Sequence, residues 1–446
     1  MEREKAEKKV TLMSEIIKKE NTDIRESYYY YKDKSGLDVY VFPKKLSTTY
    51  AIFATKYGSI ENCFKTSEDG DFITVPNGVA HFLEHKMFEN EDGSDTFEQF
   101  GKLGAYANAY TSNEMTAYLF SCTSEFEASL EVLLDYVTHP YFTEQNVKKE
   151  QGIIGQEIGM YDDNASTRLY YELLSLLYNN NSIKINICGT VKSIAEITPD
   201  VLYNCYNTFY NLSNMALVIC GDIDVEEVRK ITEANLKPSE HKKIICKYPE
   251  EPKELVGKSS TFQMHVANKI FAVGVKDNNY SIDAKEQKKR AYAFNMINDL
   301  VFGSSGKFYN DLYENGIIKN HFSAEYEWLK NCAHNVIIGE SDEPETVFER
   351  YRAEIQRIKN NFPSEADFER IRRVMYSDYI RTFDSTEDIA NAFVDSVFTG
   401  VDLLDVGDII LGISYDYAKS LFAETFDEEY TAYVVLEPFA TEDKKC

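Results

Sequence analysis

The chain has no excess of basic residues. Across 446 residues, 48 Lys and Arg stand against 74 Asp and Glu, a formal net charge of −26. Nonspecific nucleic-acid binding needs a basic surface, so no nucleic-acid partner is expected. An anionic membrane surface is disfavoured for the same reason. The chain also lacks any Cys-x-x-Cys pair. Its eight cysteines (Cys63, Cys122, Cys188, Cys205, Cys220, Cys246, Cys332 and Cys446) are scattered, the pattern of reduced thiols in a cytoplasmic protein. No run approaches the ~18 apolar residues of a membrane span. The charged segment Met1 to Asn21 has no apolar h-region, so no signal peptide is expected.

Hydrophobic residues make up 43% and aromatic residues 13%, which is globular composition. The length favours two or three domains. The stretch that organises the chain is Val79-Ala80-His81-Phe82-Leu83-Glu84-His85-Lys86-Met87-Phe88. Pro76-Asn77-Gly78 before it reads as a turn and N-cap, so the spacing predicts a helix from Val79. His81, Glu84 and His85 then share one face. Two imidazoles one turn apart can hold a tetrahedral zinc, and Glu84 between them can take a proton from water at the metal. This is the inverted H-x-x-E-H order. Apolar Ala80, Phe82, Leu83, Met87 and Phe88 argue against the alternative, a solvated surface helix. None of the cysteines is near in sequence, so none is counted as a ligand.

Residues 1–30 read as a charged, partly helical lead-in, with Tyr28 to Tyr31 packing against the first sheet. Leu37–Phe42 and Tyr50–Tyr57 are expected strands. Ala105–Thr111, small and alternating, and Met115–Cys122 are two more. The first suits an extended peptide that adds to its edge; an ordinary edge strand is the alternative. Thr143 caps a long helix from Glu144 to about Asp162. Its apolar stripe is Val147, Ile154, Ile158 and Tyr161, widened by Ile153 and Met160. Glu150 and Glu157 fall inside that stripe. Carboxylates on a buried face need partners, either in salt bridges or at a metal. With two histidines lacking a third ligand, one of these glutamates is expected at the metal. The other, roughly 10 Å along the axis, would support it.

The two halves repeat. Ile413 and Ala432 stand 216 residues after Ile197 and Ala216, in similar helix and strand contexts. The expected domains are 1–240 with the zinc motif, a linker at 241–258, and 259–446 without the motif. The second half has only His265, His321 and His334, none in ligand spacing, so one half is active. These three and His139 are assigned to packing or loops.

The chain resembles the insulinase-type (pitrilysin, M16) metallopeptidases. His81-Phe-Leu-Glu-His85 matches the inverted zinc motif of that family. Glu150-x6-Glu157 matches its downstream acidic pair, although the gap from His85 is a few residues shorter than in typical members. Asn108-Ala109-Tyr110-Thr111 resembles its substrate-pairing edge strand. Tyr141-Phe-Thr-Glu and Asn207-Thr-Phe-Tyr resemble a bacterial branch, the YmfH type. The resemblance covers about residues 37–235 strongly and the rest in layout.

It implies two α+β domains of LuxS/metallohydrolase-like form, each a mixed β-sheet backed by helices, arranged as half a clamshell. It implies one zinc per chain on His81, His85 and Glu157, with Glu150 supporting. Glu84 would be the catalytic base, and Asn108, Ala109 and Tyr110 would hold a peptide substrate. It further implies a homodimer, or a heterodimer with a motif-lacking sister subunit. Two alternatives remain. One is a non-proteolytic assembly or processing subunit, for example in elongation factor P modification. The other is a structural zinc closed by a fourth protein ligand.

Overall fold

The computed structural model describes residues 15–239, 241–319 and 322–439. The first-half strands are β1 (Ile17–Asn21), β2 (Glu26–Lys32), β3 (Asp38–Pro43), β4 (Thr49–Thr55), β5 (Cys63–Lys65), β6 (Ile73–Thr74), β7 (Tyr106–Thr111), β8 (Thr116–Cys122) and β9 (Met215–Gly221). Seven of them form one sheet in the order β1-β2-β3-β9-β4-β8-β7. A short strand β10 (Ile245–Cys246) pairs with β5, so residues expected to be a plain linker are tied to the first half. The second sheet joins β11 (Ser259–Met264), β12 (Ile270–Lys276), β13 (Phe322–Leu329), β14 (Cys332–Glu340) and β15 (Thr431–Pro438) in the order β11-β15-β12-β14-β13.

The helices of the first half are α1 (Val79–Lys86), α2 (Thr96–Lys102), α3 (Phe126–Thr138), α4 (Glu144–Asp163), α5 (Ala165–Leu177), α6 (Val191–Ile194), α7 (Pro199–Phe209) and α8 (Val225–Asn235). Those of the second are α9 (Ala284–Val301), α10 (Lys307–Glu314), α11 (Pro344–Asn360), α12 (Glu365–Arg381), α13 (Thr386–Thr399), α14 (Val406–Leu411) and α15 (Tyr415–Thr425).

The internal repeat is real in three dimensions. Thr198 caps α7 and Ser414 caps α15; β9 opens at Met215 and β15 at Thr431, each pair 216 residues apart. β9 pairs parallel with β3 and antiparallel with β4. β15 does the same with β11 and β12. Both central strands are almost continuously apolar because helices cover both faces of each sheet.

The covering helices are exchanged between the halves. α5 of the first half lies on β12 and β15, and α13 of the second lies on β4 and β9. Leu169, Leu173, Leu174 and Leu177 are buried in one core with Ala272, Val434 and Leu436. Phe393 from α13 stacks edge-on against Tyr28 at 4.7 Å. The apolar spacing of α5 is thus satisfied by the other half's sheet. Leu173 is fully buried over Gly274, where a Cβ would meet its Cδ1 at 2.9 Å. Leu173→Ala should cost roughly 2–5 kcal/mol of stability in chemical denaturation. A loss under about 1 kcal/mol, the size of a typical surface change, would contradict this packing.

One expectation is corrected. The part of the lead-in that is described, residues 15–30, holds strands β1 and β2 rather than helix, because β2 sends its four consecutive tyrosines to both faces of the sheet, beside the edge strand β1. Residues 1–14, His321 and Cys446 lie outside the described residues. Tyr28 and Tyr31 are buried as packing residues.

Candidate metal centre

α1 begins at Val79 because Gly78 turns the chain. Its φ is +94°, and a Cβ there would meet the Cys188 carbonyl oxygen at 2.5 Å. Only glycine combines that backbone with so close an approach. α1 then buries Val79, Ala80, Phe82 and Leu83. His81 and His85 are left on the face toward α4, their ring centroids 4.5 Å apart.

α4 is fixed at its start by a reciprocal capping box between Thr143 and Asn146. Val147, Glu150, Ile154 and Ile158 are its buried face. Ile153 is 44% and Met160 is 68% exposed, so the buried stripe is narrower than expected. Those two positions sit to the side of the row at 147, 150, 154 and 158, beyond the reach of α1.

Glu157 meets the two histidines. Its Oε1 is 3.7 Å from His81 Nε2 and its Oε2 is 3.4 Å from His85 Nε2. The donor atoms of His81, His85 and Glu157 all lie within 4.8 Å of one another. Ligand atoms around a tetrahedral zinc sit about 3.3 Å apart, given zinc bonds of about 2.0–2.1 Å. The set therefore fits such an ion. Glu157 Oε2 is buried with no hydrogen bond among the described residues, an acceptor short of a partner. His81 is held neutral, its pKa lowered to about 3 by burial and then by His85. A neutral imidazole is what a metal requires.

Glu150 sits on the other side of His85, its Oε1 3.0 Å from Nδ1. Its second oxygen lies 3.8 Å from the Nζ of fully buried Lys86, which also bonds Glu89. Burial alone pushes the Glu150 carboxyl up, but the His85 bond and charge outweigh it, and the net direction is down. Burial likewise works against protonated His85, yet Glu150, Glu157 and Glu84 together push its pKa up. Such a carboxylate–imidazole contact fixes the ring orientation. Glu150→Ala should weaken zinc affinity by roughly 10–100-fold in chelator competition. An unchanged affinity would remove Glu150 from any supporting role.

Glu84 Oε2 accepts a 2.6 Å hydrogen bond from Thr111 Oγ1 at the end of β7. Burial raises the Glu84 pKa, and the Thr111 bond opposes that rise. β7 is an edge strand. Ser112 N–H donates to the Met115 carbonyl at 2.8 Å. Ladder alternation then turns the peptide groups of Ala107, Ala109 and Thr111 away from β8, toward the open edge. A cavity of about 610 Å³ lies there, lined by His81, Glu84, His85, Ala109, Tyr110 and Glu157 among others. Asn108 is exposed and is not among its lining residues; its Oδ1 accepts the Ala109 N–H at 2.9 Å.

Several neighbours had no local signal in the sequence. Cys188 Sγ lies 3.6 Å from His81 Nε2, although 107 residues separate them. It stands outside the mutually close donor set, which among the described residues has three members. The cavity wall includes Tyr161, Tyr170 and Tyr171. Tyr170 bonds Glu327 of the second half, and fully buried His334 lies 3.4 Å from the same carboxylate.

Residues 74–191 match the model for insulinase, peptidase family M16, and residues 196–375 match that for the M16 inactive domain. The chain is 39% identical over 413 residues to the uncharacterized zinc protease YmfH of Bacillus subtilis, covering 91% of this chain and 95% of that one. The chain belongs to peptidase family M16. Among solved M16-like structures, a peptidase from Alicyclobacillus acidocaldarius superposes with TM-score 0.89 at 32% identity, over 92% of this chain and 98% of that one. A protease from Helicobacter pylori shares the fold, with TM-score 0.80 at 20% identity over 93% and 100% of the two chains. The two-domain M16 architecture expected from the sequence is therefore established. At the family level, zinc and protease chemistry accompany it in the relatives' names. Among the described residues, no helix is long and apolar enough to cross a membrane.

Proposed function

We propose that the chain is a zinc-dependent endopeptidase that takes short or unfolded peptides as an added strand on β7. The observation that carries this reading is the convergence of His81, His85 and Glu157 beside a Glu84 that Thr111 ties to an open strand edge. In this reading His81, His85 and Glu157 hold one zinc, and Glu150 steadies His85. Zinc, when bound, supplies a Lewis acid for the scissile carbonyl and lowers the pKa of water.

The remaining steps belong to the protein's own groups. The outward peptide groups of Ala107, Ala109 and Thr111 pair with the substrate backbone and set its register. Asn108 releases the Ala109 N–H as the substrate strand arrives, and Tyr110 lines the space beside it. Glu84 takes the proton of the attacking water on a carboxylate oxygen and passes it to the leaving amine. His81, His85 and Glu157 would hold the zinc with three donors, fewer than the four protein ligands that close a structural site. The seven described cysteines are all free thiols, in keeping with a cytoplasmic location.

The inactive-domain match keeps a second reading in view, that of an assembly subunit paired with a motif-lacking sister. Turnover of a fluorogenic peptide mixture by the chain alone, then with such a sister, separates the two. Zinc-dependent hydrolysis in either arm supports the peptidase; its absence in both supports the assembly role.

A further inference from the structure

A second cavity, of about 470 Å³, adjoins the catalytic one and shares Tyr161, Thr167, Tyr171 and Asn186 with it. The two differ in charge. Glu84 and Glu157 are the carboxylates of the first. The second is lined by Arg168, Lys184 and Lys192 against a single carboxylate, Asp162. Arg168 and Asp162 approach to 3.5 Å, both on the solvent side. Lys184 Nζ bonds the Asn179 carbonyl at 2.5 Å. Among the described residues, neither Lys184 nor Lys192 has a carboxylate partner, in a chain of net charge −26. Two ammonium groups without an ion pair, in such a chain, are a local inversion of sign on this wall, although Glu196 stands with them on the side facing a third cavity.

The wall that carries them is firmly placed. The Glu251 carboxylate accepts N–H bonds from Asn179, Asn180 and Asn181 at 2.7, 2.8 and 2.8 Å and pairs with buried Lys276 at 3.0 Å. Asn186 Oδ1 accepts the Cys188 N–H at 2.9 Å, and Ser193 Oγ donates to the Asn77 carbonyl at 2.8 Å, tying the segment to the start of α1. The backbone that carries Lys184 and Lys192 is therefore anchored beside the metal donors rather than on a free loop.

We propose that this second cavity is a carboxylate-recognising subsite, which selects peptides bearing a carboxylate a short way from the bond to be cut. The proposal rests on the peptidase reading for its substrate but not for its test. The carboxylate comes either from an Asp or Glu side chain or from the peptide's C-terminus. The general negative field of the chain disfavours acidic peptides at long range, while Lys184 and Lys192 favour them locally.

The test uses labelled peptides that differ only by Glu or Gln at one scanned position, each made as C-terminal acid and as amide. Binding to the zinc-loaded Glu84→Gln protein is read by fluorescence anisotropy, and turnover by wild type is read separately. The best Glu or acid peptide should bind about two- to fivefold tighter than its neutral twin, the range for partly exposed charges. Raising the salt concentration should narrow that ratio. In a Lys184→Ala/Lys192→Ala protein with unchanged zinc content, the ratio should fall to near one. In Lys192→Glu it should turn toward peptides with Lys at that position. A preference that follows Glu assigns the subsite to side chains; one that follows the acid over the amide assigns it to the chain end. Equal binding by charged and neutral twins, a preference that survives loss of both lysines, or binding by no peptide overturns the proposal. Charge preference without any turnover, alone or with a motif-lacking sister subunit, would instead sink the peptidase reading and leave the subsite standing.

Discussion

Glu84→Gln should leave zinc in place and lower peptide turnover by about 10²–10⁴-fold, the usual contribution of a positioned general base. The substitution is nearly isosteric. Its amide oxygen can still accept the Thr111 hydroxyl that now sits 2.6 Å from Glu84 Oε2, so the position of the side chain and of β7 should be kept. What is lost is the ability to take a proton. Glu84 is not in the three-donor set, so the metal should stay. The informative readout is kcat rather than KM, because the strand edge and cavity walls that bind peptide are unchanged. A variant that retains more than about a tenth of wild-type turnover would fall far outside a general-base effect and would reject that role.

Glu157→Ala should abolish stoichiometric zinc binding. Among the described residues, Glu157 supplies the one anionic donor that reaches both imidazoles, at 3.7 and 3.4 Å. Without it, two histidines remain, and the 3.6 Å approach of Cys188 to His81 alone does not close a third position. Zinc stabilises a fold by binding the native state, so added zinc should raise the melting temperature of wild type and leave that of Glu157→Ala unmoved. Full metal content in the variant would reject Glu157 as a ligand and direct attention to Cys188 or Glu150.

Much of this site was legible because helices carry their partners at fixed spacing. The i, i+3, i+4 pattern of His81, Glu84 and His85 needs nothing beyond α1 to become a face. Glu150 and Glu157 stood out because carboxylates inside an apolar row need partners, and α4 delivers both to α1. The offset of 216 residues was readable because α7 and β9 recur as α15 and β15 with the same cap and strand positions. Periodicity names a face but not what covers it. It therefore left Ile153 and Met160 in a buried stripe, whereas the structure exposes them. It could not show that α5 crosses to the second sheet, since a Leu-rich stripe fits either sheet equally. Cys188 and Tyr170 reach the site through contacts across more than 80 residues, which local pattern does not encode. The charged lead-in misled for another reason: β1 is an edge strand, and edge strands tolerate the Lys and Glu that otherwise suggest helix.

The most direct test of the account is metal content and peptide turnover measured on one wild-type preparation, before chelation, after chelation and after zinc is returned. The expected result is stoichiometric zinc, hydrolysis of an unstructured peptide mixture, loss of that hydrolysis with the metal, and its recovery with zinc. Zinc-loaded protein that cleaves nothing, alone or with a motif-lacking sister subunit, would contradict it.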